Sequence, residues 1–404
     1  MSNYPDLVAG TNCPPNCPQA GAVNRAIIFA RDASIMTFFH ETLHWPRFSW
    51  DAAAILPVLG RARHKQGLLL GRMRSLGFEL SSEAALEVLT SDVVRSSAIE
   101  GERLDAEAVR SSIARRLGLP HAGVTRSSRD VEGIVEVMLD ATRNAALPIT
   151  PERLCSWHAA LFPVGYSGTR PIAVGTWRPV EAGPMQVVSG PLGRERVHFE
   201  APAAERVPAE MTRFIAWCAA DDNGGDPLLR AAIAHLWFVT IHPFEDGNGR
   251  LARAIADVML ARADGCPERF YSMSTRIEAE RKDYYRLLER TQRGSGEITP
   301  WLEWFLGCLE RAIDQADTLT AGVLRKAETW RRLQAGAPVT ERQRLVVNRL
   351  LDGFVGGLTT SKYANLAKCS PATALREIQD LVARGVLARG PGGGRSTNYL
   401  LAGG

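Results

Sequence analysis

The strongest constraint on this chain is an apolar helix that a proline brings to an end. Residues 236–241 are apolar almost without interruption, and His242 and Pro243 follow them directly. Such a run predicts a buried helix. Because proline cannot continue a helix and disfavours helical geometry in the residue before it, the helix has to end at His242. We therefore expect a mainly α-helical core with His242 held at the end of a rigid central helix.

A glycine-rich turn comes next and leads into a basic helix, predicted to begin near Arg250. The residues of this turn are Asp246, Gly247, Asn248 and Gly249. Glycine lets the backbone approach a ligand closely, and the N–H groups and dipole of a helix start favour a bound anion. Arg250 and Arg253 add two positive charges on one face of that helix. The turn and the helix start together predict a polyphosphate site.

Two side chains of this segment give the predicted site its chemistry. Asp246 supplies a hard oxygen ligand, which is how Mg2+ is usually held when its other ligands are phosphate oxygens and water. His242, whose imidazole has an ordinary pKa of about 6.5, can accept the proton of an attacking hydroxyl at neutral pH. The combination predicts phosphoryl or nucleotidyl transfer. Taken one at a time, the same residues also fit a helix cap, a turn and a solvated charged face.

Residues 242–253 resemble the defining loop of the Fic family, HPFx(D/E)GNGRxxR, at every specified position. The resemblance implies transfer of AMP from ATP to a Ser, Thr or Tyr hydroxyl of an unidentified target protein, and to the chain itself. It implies that His242 deprotonates the hydroxyl, that Phe244 anchors the loop and that Asp246 holds Mg2+. It also implies that Asn248 and the glycine backbone form an anion hole, and that Arg250 and Arg253 bind the β- and γ-phosphates. Gly249 is retained, whereas members that use a substrate in the reversed, kinase-like orientation alter this glycine.

A second segment resembles the inhibitory helix of the same family, whose pattern is (S/T)xxxE(G/N). We call its matching residues Ser96, Glu100 and Gly101 the inhibitory motif. The resemblance implies that Glu100 reaches Arg253, neutralises its charge and takes the space of the γ-phosphate. One alternative is an ordinary helix end. Another is an enzyme that removes AMP, in which Glu100 positions a water molecule.

A hairpin and two tyrosines complete the predicted site. The strand-like residues Met185, Gln186, Val187 and Val188 and residues 196–199 flank a Gly-Pro turn, which predicts a hairpin and the only strand pair of the middle domain. The hairpin resembles the family's flap, which aligns the target by strand addition; an ordinary surface hairpin is the alternative. Tyr284 and Tyr285 are candidates for stacking on adenine, although tyrosines at this spacing also fit a core.

The C-terminal segment predicts a small winged helix-turn-helix domain. Ser370 and Pro371 signal a helix start, and residues 386–389 and 396–400 flank a glycine turn. Residues 359–404 contain six Lys and Arg residues but only two acidic residues. Thr373, Arg376 and Arg395 are therefore candidate DNA contacts. For this domain, the alternative is a protein-docking or homodimerisation module. For the whole chain, an alternative is a DNA-binding regulator that senses nucleotide.

The expected fold class is mainly α: a Fic-type helical bundle with a hairpin flap, plus the winged helix domain. The expected divisions are a disordered extension (1–35), an N-terminal helical domain with the inhibitory motif (36–120), the catalytic domain (121–315), a helical linker (316–338) and the C-terminal domain (339–404). The net charge of +4 is too small to imply nucleic acid by itself. Isolated cysteines, the absence of a long apolar stretch and the lack of a signal sequence predict a cytoplasmic protein without a membrane segment.

Overall fold

The computed structural model describes residues 38–75, 78–119, 127–191, 194–220, 225–334, 338–351, 354, 356–390 and 397–402. The predicted N-terminal extension, the C-terminal glycine turn and Arg395 lie outside these residues. The chain divides into two compact units. The larger comprises the described residues up to Ser75 together with Ala85–Ala316, and the smaller comprises the described residues of Leu76–Ala84 and Asp317–Gly404. The described residues are mainly helical with a few short strands, which confirms the prediction of a mainly α fold.

The helices α1 to α11 and two strand pairs precede the C-terminal segment. The helices are α1 (Ala52–Ser75), α2 (Phe78–Ile99), α3 (Ala106–Leu117), α4 (Arg129–Arg143), α5 (Pro151–Leu161), α6 (Val207–Ala219), α7 (Pro227–Ile241), α8 (Asn248–Asp264), α9 (Met273–Ala279), α10 (Arg281–Gln292) and α11 (Thr299–Gln334). The strands are β1 (Tyr166–Ser167), β2 (Arg170–Pro171), β3 (Gln186–Ser189) and β4 (Arg196–Glu200).

Helices α7 and α8 pack on each other and form the centre of the larger unit. Helix α7 starts with Pro227 in its first turn, where no N–H bond is lost, and Asp226 caps the main-chain N–H of Leu228. Nearly every residue of both helices is buried. Helix α8 ends at Gly265, whose φ of 63° suits a glycine C-cap. This apolar pair fixes the position of the loop that joins it.

Two helix boundaries before the C-terminal segment have identifiable causes. Helix α2 runs unbroken because no glycine or proline interrupts residues 78–99. Helices α9 and α10 meet at Glu280. Arg276 of α9 and Arg311 of α11 both bind the Glu280 carboxylate, so side chains of two helices stabilise this break.

The hairpin is present, with β3 and β4 pairing antiparallel and Val187 facing Phe199. The register shifts between Val187 and Val188, as in a β-bulge. The hairpin is not the only strand pair of the middle domain, since β1 also pairs with β2. That prediction was wrong because strands of two residues are too short to show an alternating pattern.

The smaller unit contains α12 (Glu341–Leu351), α13 (Thr360–Ala367), α14 (Pro371–Ala383), β5 (Leu387–Arg389) and β6 (Tyr399–Leu401). Ser370 caps α14, Pro371 occupies its first turn, and β5 pairs antiparallel with β6. Arg376 is exposed and Thr373 is half-buried. The assignment of this unit as a winged helix domain stays a prediction. Among the described residues, no helix combines the length and the apolar character that crossing a membrane requires.

Candidate active site

His242 lies at the C-terminal end of α7 in the left-handed conformation, with φ 52° and ψ 58°. Such a conformation costs a residue other than glycine about 1 kcal/mol, so the surrounding structure has to hold it. The ring Nδ1 lies 3.2 Å from the carbonyl oxygen of Val239. A carbonyl only accepts hydrogen bonds, so Nδ1 carries the ring proton and Nε2 keeps its lone pair.

The second ring nitrogen of His242 is available for chemistry. Nε2 is buried and has no hydrogen-bond partner within the described part of the chain. Burial lowers the pKa of His242 to about 3, so the imidazole is neutral at pH 7. The ring lines a small pocket together with Glu100 and Gly249, and Val187 of the hairpin lines it from another side. A neutral imidazole with an unused lone pair in a pocket is the arrangement that a general base requires.

The loop after His242 is locked by its own side chains. Phe244 is fully buried and stacks on His158, with ring centroids 4.2 Å apart. The side-chain amide of Asn248 accepts a hydrogen bond from Phe244 N at 3.0 Å and donates one to Phe244 O at 2.8 Å. Asn248 therefore closes the loop in this structure, and its part in an anion hole stays a prediction.

The start of α8 depends on Gly247. Its φ is 77°, and a Cβ atom there would lie 2.9 Å from Cε2 of Phe162. Asp246 Oδ1 accepts a hydrogen bond from Gly247 N at 2.6 Å, and Ser167 Oγ donates to Asp246 Oδ2. The first N–H groups of any helix lack partners within the helix and favour an anion. The turn thus presents a carboxylate and a helix start side by side.

Arg253 is bound by two residues of the inhibitory motif. Its Nε donates to Ser96 Oγ at 2.9 Å, and its Nη2 donates to Ser96 O at 2.9 Å and to Glu100 Oε1 at 2.8 Å. The exposed fraction is 1% for the Arg253 side chain and 6% for that of Glu100. Burial alone would lower the pKa of Arg253, but the Glu100 carboxylate outweighs it and the pKa is raised. The motif and the helix of the predicted phosphate site are in direct contact.

Glu100 also lies against the first turn of α8. A Cβ atom built on Gly249 would be 2.2 Å from Glu100 Oε1, which shows how closely the carboxylate approaches the helix start. A carboxylate at this position takes the place that the geometry offers to a phosphate. Gly101, with φ 87°, ends the turn that brings Glu100 there.

Arg250 is occupied as well, by a residue that sequence reasoning missed. Its Nη1 donates to Glu102 Oε2 at 2.7 Å, and its guanidinium lies 5.1 Å from the ring centroid of Phe162. The signal was the second acid in Glu100-Gly101-Glu102, which the inhibitory pattern does not contain. Both arginines of the predicted phosphate site therefore bind carboxylates from one short segment.

Comparison with known families assigns two parts of the chain. Residues 148–260, which contain this loop, match the model described as Fic/DOC family, and residues 38–119 match a model described as a domain of unknown function (DUF4172). The segment that contains this loop is thus similar to the Fic/DOC family.

Curated relatives carry the name protein adenylyltransferase. The Nematostella vectensis protein adenylyltransferase Fic is 27% identical over 235 residues, covering 57% of this chain and 49% of that protein. The Caenorhabditis elegans protein adenylyltransferase fic-1 is 31% identical over 143 residues, covering 35% of this chain and 26% of that protein. The chain thus spans about half or less of the length of these two relatives.

Solved structures of Fic proteins also align with the chain. A Fic family protein from Desulfovibrio desulfuricans G20 aligns with a TM-score of 0.49 and 22% identity, covering 88% of this chain and 97% of that one. A fragment of Fic-1 from C. elegans aligns with a TM-score of 0.44 and 21% identity, covering 67% of this chain and 74% of that one.

The two tyrosines proposed to stack on adenine line the pocket that contains His242, but both hydroxyls are engaged within the protein. Tyr284 OH lies 2.9 Å from His235 Nε2, and its ring packs near Trp304. Tyr285 OH donates to the carbonyl oxygen of Ile99 at 3.3 Å. Their burial agrees with the core alternative, and contact with a nucleobase stays a prediction.

The flap residues divide between the pocket and the surface. Val187 and Val188 are buried, Met185 is buried just before β3, and Gln186 is exposed. Only Val187 of these four lines the pocket that contains His242. The structure thus places one end of the hairpin beside the candidate base.

Sequence reasoning missed several residues that hold the Fic loop. Ser167 donates to Asp246, His158 stacks on Phe244, and Arg178 donates from Nε to the carbonyl oxygen of His242 at 2.9 Å. Burial lowers the pKa of His158 to about 4. Contacts of this kind leave no local pattern in a sequence.

Proposed function

We propose that this chain transfers AMP from ATP to a hydroxyl of a protein serine, threonine or tyrosine. The observation that carries the proposal is the buried, neutral His242, whose unpartnered Nε2 lies in one pocket with the start of α8. The names of the curated relatives support the same activity. The chain itself is an expected acceptor in the absence of a target.

The reaction follows from the positions of these groups. His242 Nε2 takes the proton of the attacking hydroxyl, whose oxygen forms a bond to the α-phosphorus of ATP. The bond between that phosphorus and the bridging oxygen to the β-phosphate breaks, and pyrophosphate leaves with the electron pair. Arg250 and Arg253 hold the β- and γ-phosphates, and the N–H groups at the start of α8 stabilise the charge on the transferred group. Val187 and the other flap residues align the target segment.

Asp246 is the residue that would hold Mg2+. It is a buried carboxylate at the start of α8, where Gly247 N and Ser167 Oγ donate hydrogen bonds to it. The described residues contain no cluster of three His, Cys, Asp or Glu side chains suited to a metal, so phosphate oxygens and water would supply the other ligands. The ion would neutralise charge on the phosphates.

The inhibitory motif is proposed to keep the resting protein inactive. Glu100 binds Arg253 and lies against Gly249, so its carboxylate and the γ-phosphate compete for the same charge and space. ATP then either fails to bind or binds with its α-phosphate turned away from His242. If Glu100 leaves Arg253 only slowly or rarely, the chain inhibits its own activity in cis.

Removal of AMP is a second candidate, favoured by one observation. Glu100 lines the same pocket as His242, so its carboxylate is placed to orient a water molecule towards an AMP-modified hydroxyl. In that case Glu100 is required for activity, whereas in the proposed function it suppresses activity. A nucleotide-sensing DNA-binding regulator, the third alternative, transfers no group.

One experiment separates the three candidates. The wild-type chain, Glu100→Gly and Glu100→Gly/His242→Ala are incubated with MgATP labelled on either the α- or the γ-phosphate. We expect α-label alone on protein, more of it with Glu100→Gly, and none once His242 is replaced. Label from the γ-phosphate, or α-label that survives His242→Ala, contradicts the proposal. The absence of any transfer favours the nucleotide-sensing regulator. If an AMP-modified protein loses its AMP only when Glu100 is intact, the result favours removal of AMP.

A further inference from the structure

Arg178 is a buried arginine beside His242, with an exposed fraction of 3%. Its Nε donates to the carbonyl oxygen of His242 at 2.9 Å, and its main-chain N–H donates to the carbonyl oxygen of Pro243 at 2.8 Å. Its Nη2 donates to the carbonyl oxygen of Pro202, just after β4 of the hairpin. One residue thus joins the end of α7, the catalytic loop and the end of the flap.

The chemistry of these contacts is unusual for a buried arginine. Its side-chain hydrogen bonds go to main-chain carbonyls, whereas buried Arg253 and Arg269 bind carboxylates. Burial lowers the pKa of Arg178 to about 10, partly opposed by Glu205, so the guanidinium remains charged at pH 7. Because its hydrogen bonds go to neutral carbonyls, the charge of Arg178 acts on the neighbouring imidazole.

We propose that Arg178 is a positioning residue for His242, one that holds its strained backbone in place and keeps a positive charge beside its ring. This inference rests on the proposed role of His242 as general base. The left-handed conformation at His242 needs outside support, and the bond to its carbonyl supplies it. A shift of this carbonyl would turn Nε2 away from the pocket.

Several titratable groups of the described residues surround the His242 ring. The titratable groups facing His242 are Arg178, Asp246 of its own loop, Glu100 of the inhibitory motif, and Tyr284 and Tyr285 of α10. Burial is the largest cause of the lowered pKa of His242; the Arg178 charge lowers it further, and Asp246 opposes it. Both tyrosines are neutral because burial raises their pKa. Removing the Arg178 charge therefore moves the pKa of His242 upwards.

The test compares three variants in the Glu100→Gly background. Arg178→Gln removes the charge and the paired carbonyl contacts, and Arg178→Lys keeps the charge. Arg262→Gln is the matched control, because Arg262 also donates to carbonyls, those of Ala145 and Leu147, at the other end of α8. The readouts are kcat, KM for ATP and the pH dependence of kcat.

We expect Arg178→Gln to lower kcat by about 100-fold with a much smaller change in KM, since a misplaced base fails in the chemical step. The acid limb of the pH profile should move up by about one pH unit. Arg178→Lys should return that limb towards its original position, and Arg262→Gln should leave it in place. An unmoved limb in Arg178→Gln, or an equal movement in Arg262→Gln, overturns the inference.

A second measurement does not depend on activity. NMR titration of the His242 ring reports its pKa directly in the parent, Arg178→Lys and Arg178→Gln proteins. A higher His242 pKa in Arg178→Gln than in Arg178→Lys supports the inference, and equal values overturn it. If the Glu100→Gly parent transfers no AMP, the proposed function fails, and the titration still decides the role of Arg178.

Discussion

Arg253 and Glu100 form a salt bridge of 2.8 Å between two buried side chains, one on the helix of the candidate phosphate site and one at the end of α2. A buried pair of this kind is costly to break, since removing one partner leaves an uncompensated charge. The same guanidinium is the proposed ligand of the γ-phosphate. Under the proposed function, ATP has to displace Glu100, and the strength of this pair sets the resting activity.

Replacing Glu100 with glycine should raise self-AMPylation. The variant frees Arg253 and the space beside Gly249, so we expect the apparent affinity for ATP to rise by about 5- to 150-fold, the range of ordinary coupling free energies. Calorimetry and α-labelled ATP measure affinity and transfer. Glu87→Gln is the control, because Glu87 lies on the same helix and pairs with Arg110 in an exposed salt bridge. Equal rates in Glu100→Gly and wild type contradict autoinhibition.

Glu102 should act as a weaker second inhibitor. Its carboxylate binds Arg250 at 2.7 Å, but 41% of its side chain is exposed, so solvent screens the pair. We expect Glu102→Gln to raise the affinity for ATP by only about two- to threefold. Combined with Glu100→Gly, it should add to the gain, and the measurement is an ATP titration of the double variant. A decrease in affinity instead assigns Glu102 to nucleotide binding.

The catalytic loop is the part of the site that sequence predicts best. Residues 242–253 are contiguous, and proline, glycine and arginine at those positions act through local geometry. The contact between Glu100 and Arg253 was also expected, although only through a resemblance to a family pattern. Nothing in the spacing of two residues 153 positions apart indicates contact.

The residues that hold the loop were beyond sequence reasoning for a physical reason. Arg178 and Asn248 bind main-chain atoms, and an acceptor carbonyl is the same in every residue type. Ser167 and His158 contact the loop through the tertiary fold. The break between α9 and α10 likewise depends on tertiary contacts, because arginines of two helices bind the Glu280 carboxylate.

A double-mutant cycle tests the closeness of Glu100 to Gly249 without any activity measurement. Gly249→Ala places a methyl group where Glu100 Oε1 lies 2.2 Å away, so the carboxylate has to move and its contact with Arg253 weakens. We expect a loss of about 1–3 kcal/mol in the free energy of unfolding. In the Glu100→Gly background the obstacle is absent, and Gly249→Ala should cost clearly less. Equal costs in both backgrounds, measured by denaturant unfolding, contradict the contact.

Stability should fall as the solution is acidified below pH 6.5. Burial lowers the pKa of His158 to about 4 and of His235 and His242 to about 3. Between these values and the unfolded pKa of about 6.5, the unfolded chain binds protons that the folded chain excludes. Each histidine should therefore lose about 2 kcal/mol of stabilisation between pH 6.5 and pH 5.

His235 offers the sharpest test of this pH dependence, because it is fully buried against Tyr284 and has no proposed catalytic role. Asp257 works in the opposite direction: burial and the nearby Asp92 raise its pKa, so its contribution to stability grows as the pH falls. Comparing each variant with wild type at every pH separates the two effects.

His235→Asn should remove about 2 kcal/mol of the loss in unfolding free energy between pH 6.5 and pH 5, whatever its cost at pH 7. Asp257→Asn should make the acid loss steeper, since the opposing contribution disappears. Parallel curves for wild type and His235→Asn would show that this histidine binds its proton equally well in the folded chain.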